Sequence, residues 1–268
     1  MAGGRRRQPD RARRPAVAGV LALGIVAGVA LTGCASHDRE VLDVYAAASL
    51  TDAFTAFEAA FEADNPDVDV RLNLAGSTTL QRQILDGADA DVFAPADVAL
   101  LAAVSDTAAD DGADGEPEIY ATNSLTLILP GDGGDTDVEG LSAEEAVLDG
   151  AVVGPGALVA RCAAGVPCGD ATDDYLARAG LDLGAVTEEP NVRAVLRKVA
   201  GGEADAGFVY VTDAATDDRV IALDLAAAPT VDYALAVLSD EPTADAFARY
   251  VHSPEAAEAL RRLGFDVP

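Results

Sequence analysis

Tryptophan is absent from the sequence, methionine occurs once and histidine twice. Cysteine is confined to Cys34, Cys162 and Cys168. Sites built on clustered imidazoles, for metal binding or for acid–base work, therefore have almost no material. Basic residues are also scarce: 18 Lys and Arg stand against 46 Asp and Glu, a net charge of −28. A surface of that sign repels phosphate backbones and excludes nucleic acid as a partner. A serine hydrolase is poorly supported, because neither Ser49 nor Ser77 lies in a Gly-x-Ser-x-Gly turn and only His37 and His252 could act as base. No catalytic residue and no cofactor is expected. What the chain has in quantity is apolar material, 50% of 268 residues, enough for a core of one or two domains.

The few arginines are unevenly placed. Arg5, Arg6, Arg7, Arg11, Arg13 and Arg14 precede an apolar stretch from Ala16 to Leu31. A basic segment, an apolar segment and a small-residue exit together read as a secretory signal over residues 1–33. The apolar stretch is short for a membrane span, which takes about 20 residues. Its exit, Leu31-Thr32-Gly33-Cys34, resembles a bacterial lipobox, which implies cleavage before Cys34 and a lipid on that thiol. The mature chain would carry 12 basic and 45 acidic residues, a net −33, outside the cytoplasm and tethered by residues 34–40. With Cys34 acylated, Cys162 and Cys168 remain. In an oxidising compartment a Cys-x5-Cys pair most simply forms a local disulfide. The rival is a pair of thiolates on a metal, for which no third Cys or nearby His is at hand.

After the tether, strand-like and helix-like segments alternate. Val41–Ala46 is β-rich, and Leu50–Ala63 spaces Leu50, Phe54, Phe57 and Phe61 as one helical face. Val68–Leu74 alternates as a strand, Leu80, Ile84 and Leu85 form a helical stripe closed by Gly87, and Asp91–Ala94 is a third strand. Ser105–Pro117 reads as an acidic surface loop. Further strands are expected at Asn123–Leu129, Ala151–Val153, Ala206–Tyr210 and Tyr233–Leu238, with helices at Asp170–Ala179, Val192–Ala200 and on either side of Ser253-Pro254. Repeated βα units predict an α/β fold of mostly parallel sheets flanked by helices, with ligands in the crevice at the strands' carboxyl ends.

Several helix starts carry small polar residues. Ser49-Leu50-Thr51-Asp52 matches a capping box, Gly76-Ser77-Thr78-Thr79 repeats the strand–turn–helix arrangement, and Gly169-Asp170 and Asn191-Val192 open two more. Most such residues are caps and nothing more. Several helix starts converging on one crevice would instead make an anion site without Lys or Arg, because each offers unpaired N–H groups and a positive dipole end.

Ala46-Ala47-Ala48-Ser49-Leu50-Thr51, Ala75-Gly76-Ser77-Thr78-Thr79-Leu80 and Ala90-Asp91-Val92-Phe93-Ala94-Pro95-Ala96-Asp97 together resemble the molybdate-binding proteins of ABC transporters. The likeness continues through Ala121-Thr122-Asn123-Ser124-Leu125, Val166-Pro167-Cys168-Gly169, Asn191-Val192-Arg193, Gly207-Phe208-Val209-Tyr210, Tyr233-Ala234-Leu235-Ala236-Val237 and Leu263-Gly264-Phe265. It implies a two-lobed periplasmic-binding-protein fold of type II, with residues 41–121 and 231–268 in the first lobe and 122–230 in the second. Carried over by position, oxyanion contacts fall on Ser49 and Ser77 through hydroxyl and N–H, on the N–H groups of Cys168 and Val192, and on the Tyr210 hydroxyl. Cys168 departs from the small Ala common in the family, and Pro95 from a Ser; only the main chain is needed at Cys168. The implied partners are molybdate or tungstate, a membrane permease and, through Cys34, the membrane itself, with the protein a monomer. Sulfate, another oxyanion or a small organic anion in the same fold is the alternative. Asp97 and Asp205 read as caps or hinge partners, and Ala96 as a neighbour of the crevice. A net −33 also predicts anion association that speeds up with salt, as screening mutes the repelling surface.

Overall fold

The computed structural model describes residues 39–105, 117–131 and 156–268, all within one contact-defined unit, Asp38–Pro268. The leader, Cys34, most of the expected acidic loop and the strand expected at Ala151–Val153 lie outside the described residues.

Strand β1 (Glu40–Ala47) turns Leu42, Val44 and Ala46 inward, the period of two that its sequence shows. It pairs in parallel with β2 (Val68–Ala75) on one side and β3 (Val92–Ala94) on the other. The crossovers are helices α1 (Thr51–Asp64) and α2 (Ser77–Leu85). Phe54, Phe57 and Phe61 bury one face of α1, and Phe247 of α7 (Pro242–Val251) packs its ring 6.1 Å from Phe54 and 5.2 Å from Phe61. Each ring so enclosed contributes roughly 1.5–3 kcal/mol of apolar burial. The C-terminal segment thereby returns to the first sheet, where α8 (Pro254–Arg262) also lies against α1. On α2 the stripe is narrower than expected: Leu80 and Ile84 are buried, while Leu85 is exposed. The short helix α3 (Ala99–Ser105) follows β3.

The second sheet among the described residues runs β6-β5-β7-β4-β8, from β4 (Ala121–Pro130), β5 (Leu158–Cys162), β6 (Ala185–Glu189), β7 (Ala206–Tyr210) and β8 (Val220–Leu223). Helices α4 (Pro167–Ala179) and α5 (Val192–Ala200) cover it, and α6 (Val211–Ala214) follows β7 directly. Strand β4 is antiparallel to β7 and β8, and its first residues pair with β9 (Thr230–Tyr233). Each sheet is thus mixed: β10 (Ala236–Val237) runs antiparallel to β3 in the first.

Three local expectations are corrected. Ser49 does not cap α1. It sits inside a 3-10 turn, Ala48–Leu50, and no side chain caps the helix; the Thr51 hydroxyl donates to the Ala48 carbonyl instead. The expected helix at Asp170 starts one turn earlier at Pro167, because a proline at the first position lacks only an N–H that would have had no partner. The expected late strand splits: β9 stays beside β4, and after Ala234 and Leu235 the chain joins β3 as β10.

Candidate functional site

Chain direction concentrates loops at one place. Ser49 follows the end of β1, Ser77 follows β2, Ala96 follows β3, Cys168 and Val192 follow β5 and β6, and Tyr210 ends β7. Ser49, Ser77, Cys168, Val192 and Tyr210, the five residues singled out in the sequence, all line a single small cavity. Its remaining wall is small or neutral, including Ala48, Gly76, Ala96, Pro167 and Asn191, and it holds no charged side chain. Residues from both sheets contribute, so the cavity lies between them.

The donors can be counted group by group. In α2, the first intrahelical bonds are made by Thr79 and Leu80 to Gly76, which leaves the Ser77 N–H ahead of the ladder. In α4, Pro167 has no N–H and Gly169 is the first to bond back, to Val166, so Cys168 stands unused between them. In α5, the Asn191 side chain accepts from Ala194, and the Val192 N–H precedes that bond. These starts add the positive ends of three helix dipoles.

The hydroxyls are oriented by their partners. Ser77 Oγ accepts from the Ala96 N–H at 3.0 Å, so its own proton is left to donate elsewhere. Ser49 Oγ lies 3.0 Å from Tyr233 Oη, and Asn123 Nδ2 donates to Tyr233 Oη at 3.4 Å and to Thr212 Oγ1 at 2.7 Å. An amide nitrogen can only donate. The Tyr233 hydroxyl accepts from Asn123, and where it gives its own proton to Ser49, the Ser49 proton is free for the cavity. Tyr210 Oη is buried with no hydrogen-bond partner among the described residues. Burial, with Tyr233 and Asp213 nearby, pushes the Tyr210 hydroxyl well above its ordinary range, and burial likewise raises Tyr233. Both stay protonated and both remain donors. An unpaired buried hydroxyl costs about 1–3 kcal/mol.

Backbone approach closes the rim. A Cβ on Gly76 would meet the Pro190 carbonyl oxygen at 2.3 Å, and one on Gly169 would meet the Ala163 oxygen at 2.1 Å, so only glycine admits these contacts. Thr78 Oγ1 reaches the Gly165 carbonyl at 2.5 Å from the opposite sheet. The sulfurs of Cys162 and Cys168 sit at bonding distance, with Cα atoms 5.7 Å apart, between the end of β5 and the first turn of α4. No cluster of three His, Cys, Asp or Glu side chains among the described residues could hold a metal ion.

Asp97 accepts from the Ala99 N–H at the start of α3, and Asp205 from the Leu158 N–H at the start of β5, so both are structural partners outside the cavity. Sequence reasoning missed Asn123 and Tyr233 as site residues. Their signal was available: Asn123 is a buried polar residue on the same strand face as Ala121 and Leu125. It also passed over Arg193, Asp52 and Asp213, which meet just behind Ser49.

Comparison with known proteins gives the family and the fold. Residues 42–266 match the family described as bacterial extracellular solute-binding protein. The molybdate-binding protein ModA of Mycobacterium tuberculosis is 35% identical over 259 residues, covering 94% of each chain. ModA of Escherichia coli is 31% identical, covering 91% of this chain and 98% of its own. A substrate-binding lipoprotein of Bacillus subtilis, described as putative, is 28% identical over 90% of this chain and 95% of its own. Among solved structures, the periplasmic molybdate-binding protein of Azotobacter vinelandii superposes with a TM-score of 0.70 at 20% identity, covering 85% of this chain and 99% of that one, a likeness of fold. By family match and by identity along nearly its whole length, the chain belongs to the bacterial extracellular solute-binding proteins, alongside the ModA proteins, a family of binding proteins and not of enzymes.

Proposed function

We propose that the protein is an extracytoplasmic receptor that closes over molybdate or tungstate and delivers it to the permease of an ABC transporter. Ser49 and Ser77 donate through hydroxyl and N–H, Cys168 and Val192 through N–H, and Tyr210 through its hydroxyl. Residues 41–121 and 231–268 form one lobe and 122–230 the other. The protein is a monomer held to the membrane by lipid on Cys34, and a Cys162–Cys168 disulfide fixes the loop before α4. The relatives' names support the ligand and the import role, and the lipoprotein from Bacillus subtilis supports the anchor.

One observation carries the reading: a buried cavity lined by donors and dipoles, with no carboxylate and one orphaned hydroxyl. Molybdate and tungstate near neutral pH are dianions whose oxygens only accept. Hydrogen phosphate brings a proton that needs an acceptor, and the wall supplies no charged one. Hydrogen bonds to charged groups contribute about 1.5–3 kcal/mol each, so the seven donors supply about 10–20 kcal/mol in gross terms, from which desolvation and closure are subtracted, against the roughly 8 kcal/mol of micromolar binding. Sulfate is also acceptor-only, and size alone would separate it from the larger metal oxyanions. Calorimetry of the soluble form beginning after Cys34, titrated in parallel with molybdate, tungstate and sulfate, tests the reading. Sub-micromolar uptake of the first two and weak uptake of sulfate is expected; tight sulfate with no molybdate heat would reassign the ligand.

A further inference from the structure

Arg193 follows Val192 in α5, yet its side chain turns away from the cavity. One guanidinium meets three groups there: Nη2 pairs with Asp52, Nε lies 2.5 Å from Asp213 Oδ1, and Nη1 donates to Thr216 Oγ1 at 3.3 Å. Asp52 stands in the first turn of α1, three residues after Ser49, and Asp213 stands three residues after Tyr210. A single side chain therefore ties together three of the segments that line the cavity, and its bond to Asp52 crosses from the second sheet to the first. None of the three charged groups lines the cavity itself.

Burial differs sharply between the two arms. The Asp213 side chain is fully buried, the Arg193 side chain is 17% exposed and the Asp52 side chain 46% exposed. Leaving a buried carboxylate without its partner is costly, so the Arg193–Asp213 arm is the permanent one. The Asp52 arm ends in solvent, where water can replace either partner at small cost. Of the two arms, separation of the halves breaks this one and leaves the other in place. Two carboxylates on one guanidinium also leave the trio net negative, so it offers no lure for an incoming anion. Its work is mechanical.

Building on the oxyanion-receptor reading, we propose that Arg193, anchored on Asp213, is a latch whose release from Asp52 opens the cavity and sets how long the anion stays. Like the Thr78–Gly165 contact, the Asp52 bond exists only when the halves are together, so it favours the closed state with or without a ligand.

The test uses Asp52→Asn, which removes the charge at a half-exposed position and leaves the Arg193–Asp213 pair intact, with Asp52→Glu as the conservative control. In stopped-flow release of molybdate, Asp52→Asn should dissociate about fivefold faster than the unmodified protein, as expected for a partly exposed ion pair. Its association rate should stay within about twofold and Asp52→Glu should recover most of the slow release. Equal dissociation rates in all three proteins overturn the latch. If the unmodified protein takes up no molybdate, the receptor reading fails by itself, and the latch is then decided on ligand-free protein by small-angle scattering. Asp52→Asn should show the larger radius of gyration; identical radii overturn the proposal.

Discussion

Replacing Tyr210 by Phe separates two effects that usually move together. The hydroxyl is buried and meets no partner among the described residues, while the ring is part of the second sheet's core. Phe keeps the ring and deletes the oxygen. In the ligand-free protein this removes an unsatisfied polar group, whose burial costs about 1–3 kcal/mol, so the variant should unfold at a higher denaturant midpoint. With molybdate bound, the same deletion loses a hydrogen bond to a charged acceptor, about 1.5–3 kcal/mol, or about tenfold to a hundredfold in affinity. Stability of the free protein should rise while affinity falls, and the thermal shift on adding molybdate should shrink from both directions. Urea unfolding and calorimetry on the same preparation read the two quantities. Unchanged affinity would remove Tyr210 from the site. A loss of free-protein stability would mean the hydroxyl is satisfied within the fold, and the inference from its isolation would fail.

Tyr233→Phe should behave in the opposite way: it deprives Ser49 and Asn123 of a shared partner, so free-protein stability should fall by about 1–3 kcal/mol and affinity should fall with it, both read by the same two assays. Burial pushes the Asp213 carboxyl up to about 6, against the pull of Arg193, from an ordinary 3.8. Between those values the unfolded chain has lost the proton that the folded chain keeps, so this group's contribution to stability declines as pH rises from about 4 to about 6. Urea midpoints across that window should show the decline in the unmodified protein, and Asp213→Asn should remove that component of the slope. Substituting both Cys162 and Cys168 by Ala removes the proposed disulfide, which spans six positions, a loop for which chain entropy assigns about 2 kcal/mol. The variant should lose about that stability and bind molybdate several-fold more weakly, because Cys168 presents its N–H from the freed turn; equal affinity would show that α4 holds the turn alone.

Legibility in the sequence followed burial pattern. The run from β1 to β3 could be read because its strands alternate and α1 repeats Phe54, Phe57 and Phe61 at helical spacing. Strand β6 could not: Ala185–Glu189 is an exposed edge strand with no apolar face, held by pairing to β5. The short β8 escaped for lack of length. The break after β9 is a tertiary event, since Tyr233 faces the first core and Ala236 pairs with Phe93, and a continuous apolar run does not reveal where it changes neighbours. Ser49 shows a different limit. Its spacing to Asp52 imitates a capping box, but the serine hydroxyl turns to Tyr233 and the aspartate to Arg193, two partners 184 and 141 residues away. A local motif was recognised, and its local partners were wrong. That the five expected site residues share one cavity was legible only through resemblance, because no spacing brings Ser49 to Tyr210.

A chain with a net charge of −28 that captures a dianion is no contradiction once distances are compared. Screening at ~0.1 M salt has a length of ~10 Å, so carboxylates on the surface are muted at the cavity, while donors in its wall act at hydrogen-bonding distance in a medium less polar than water. The arginine next in sequence to the wall residue Val192 is not spent on the ligand: Arg193 is committed to Asp213 and Asp52. A lysine or arginine in the cavity would bind more anions, and more kinds of anion, because a point charge selects weakly for shape. N–H groups fixed at helix starts, with hydroxyls oriented by Asn123, Tyr233 and Ala96, accept only an arrangement of acceptors that matches theirs. Neutral donors thus yield less attraction per contact and more discrimination between ligands. Closure supplies what the charge does not, since once the halves meet over the anion, water is excluded and each dipole counts for more. The latch and the uncharged wall are then two parts of one solution, in which selectivity comes from the wall and residence from the ion pair behind it.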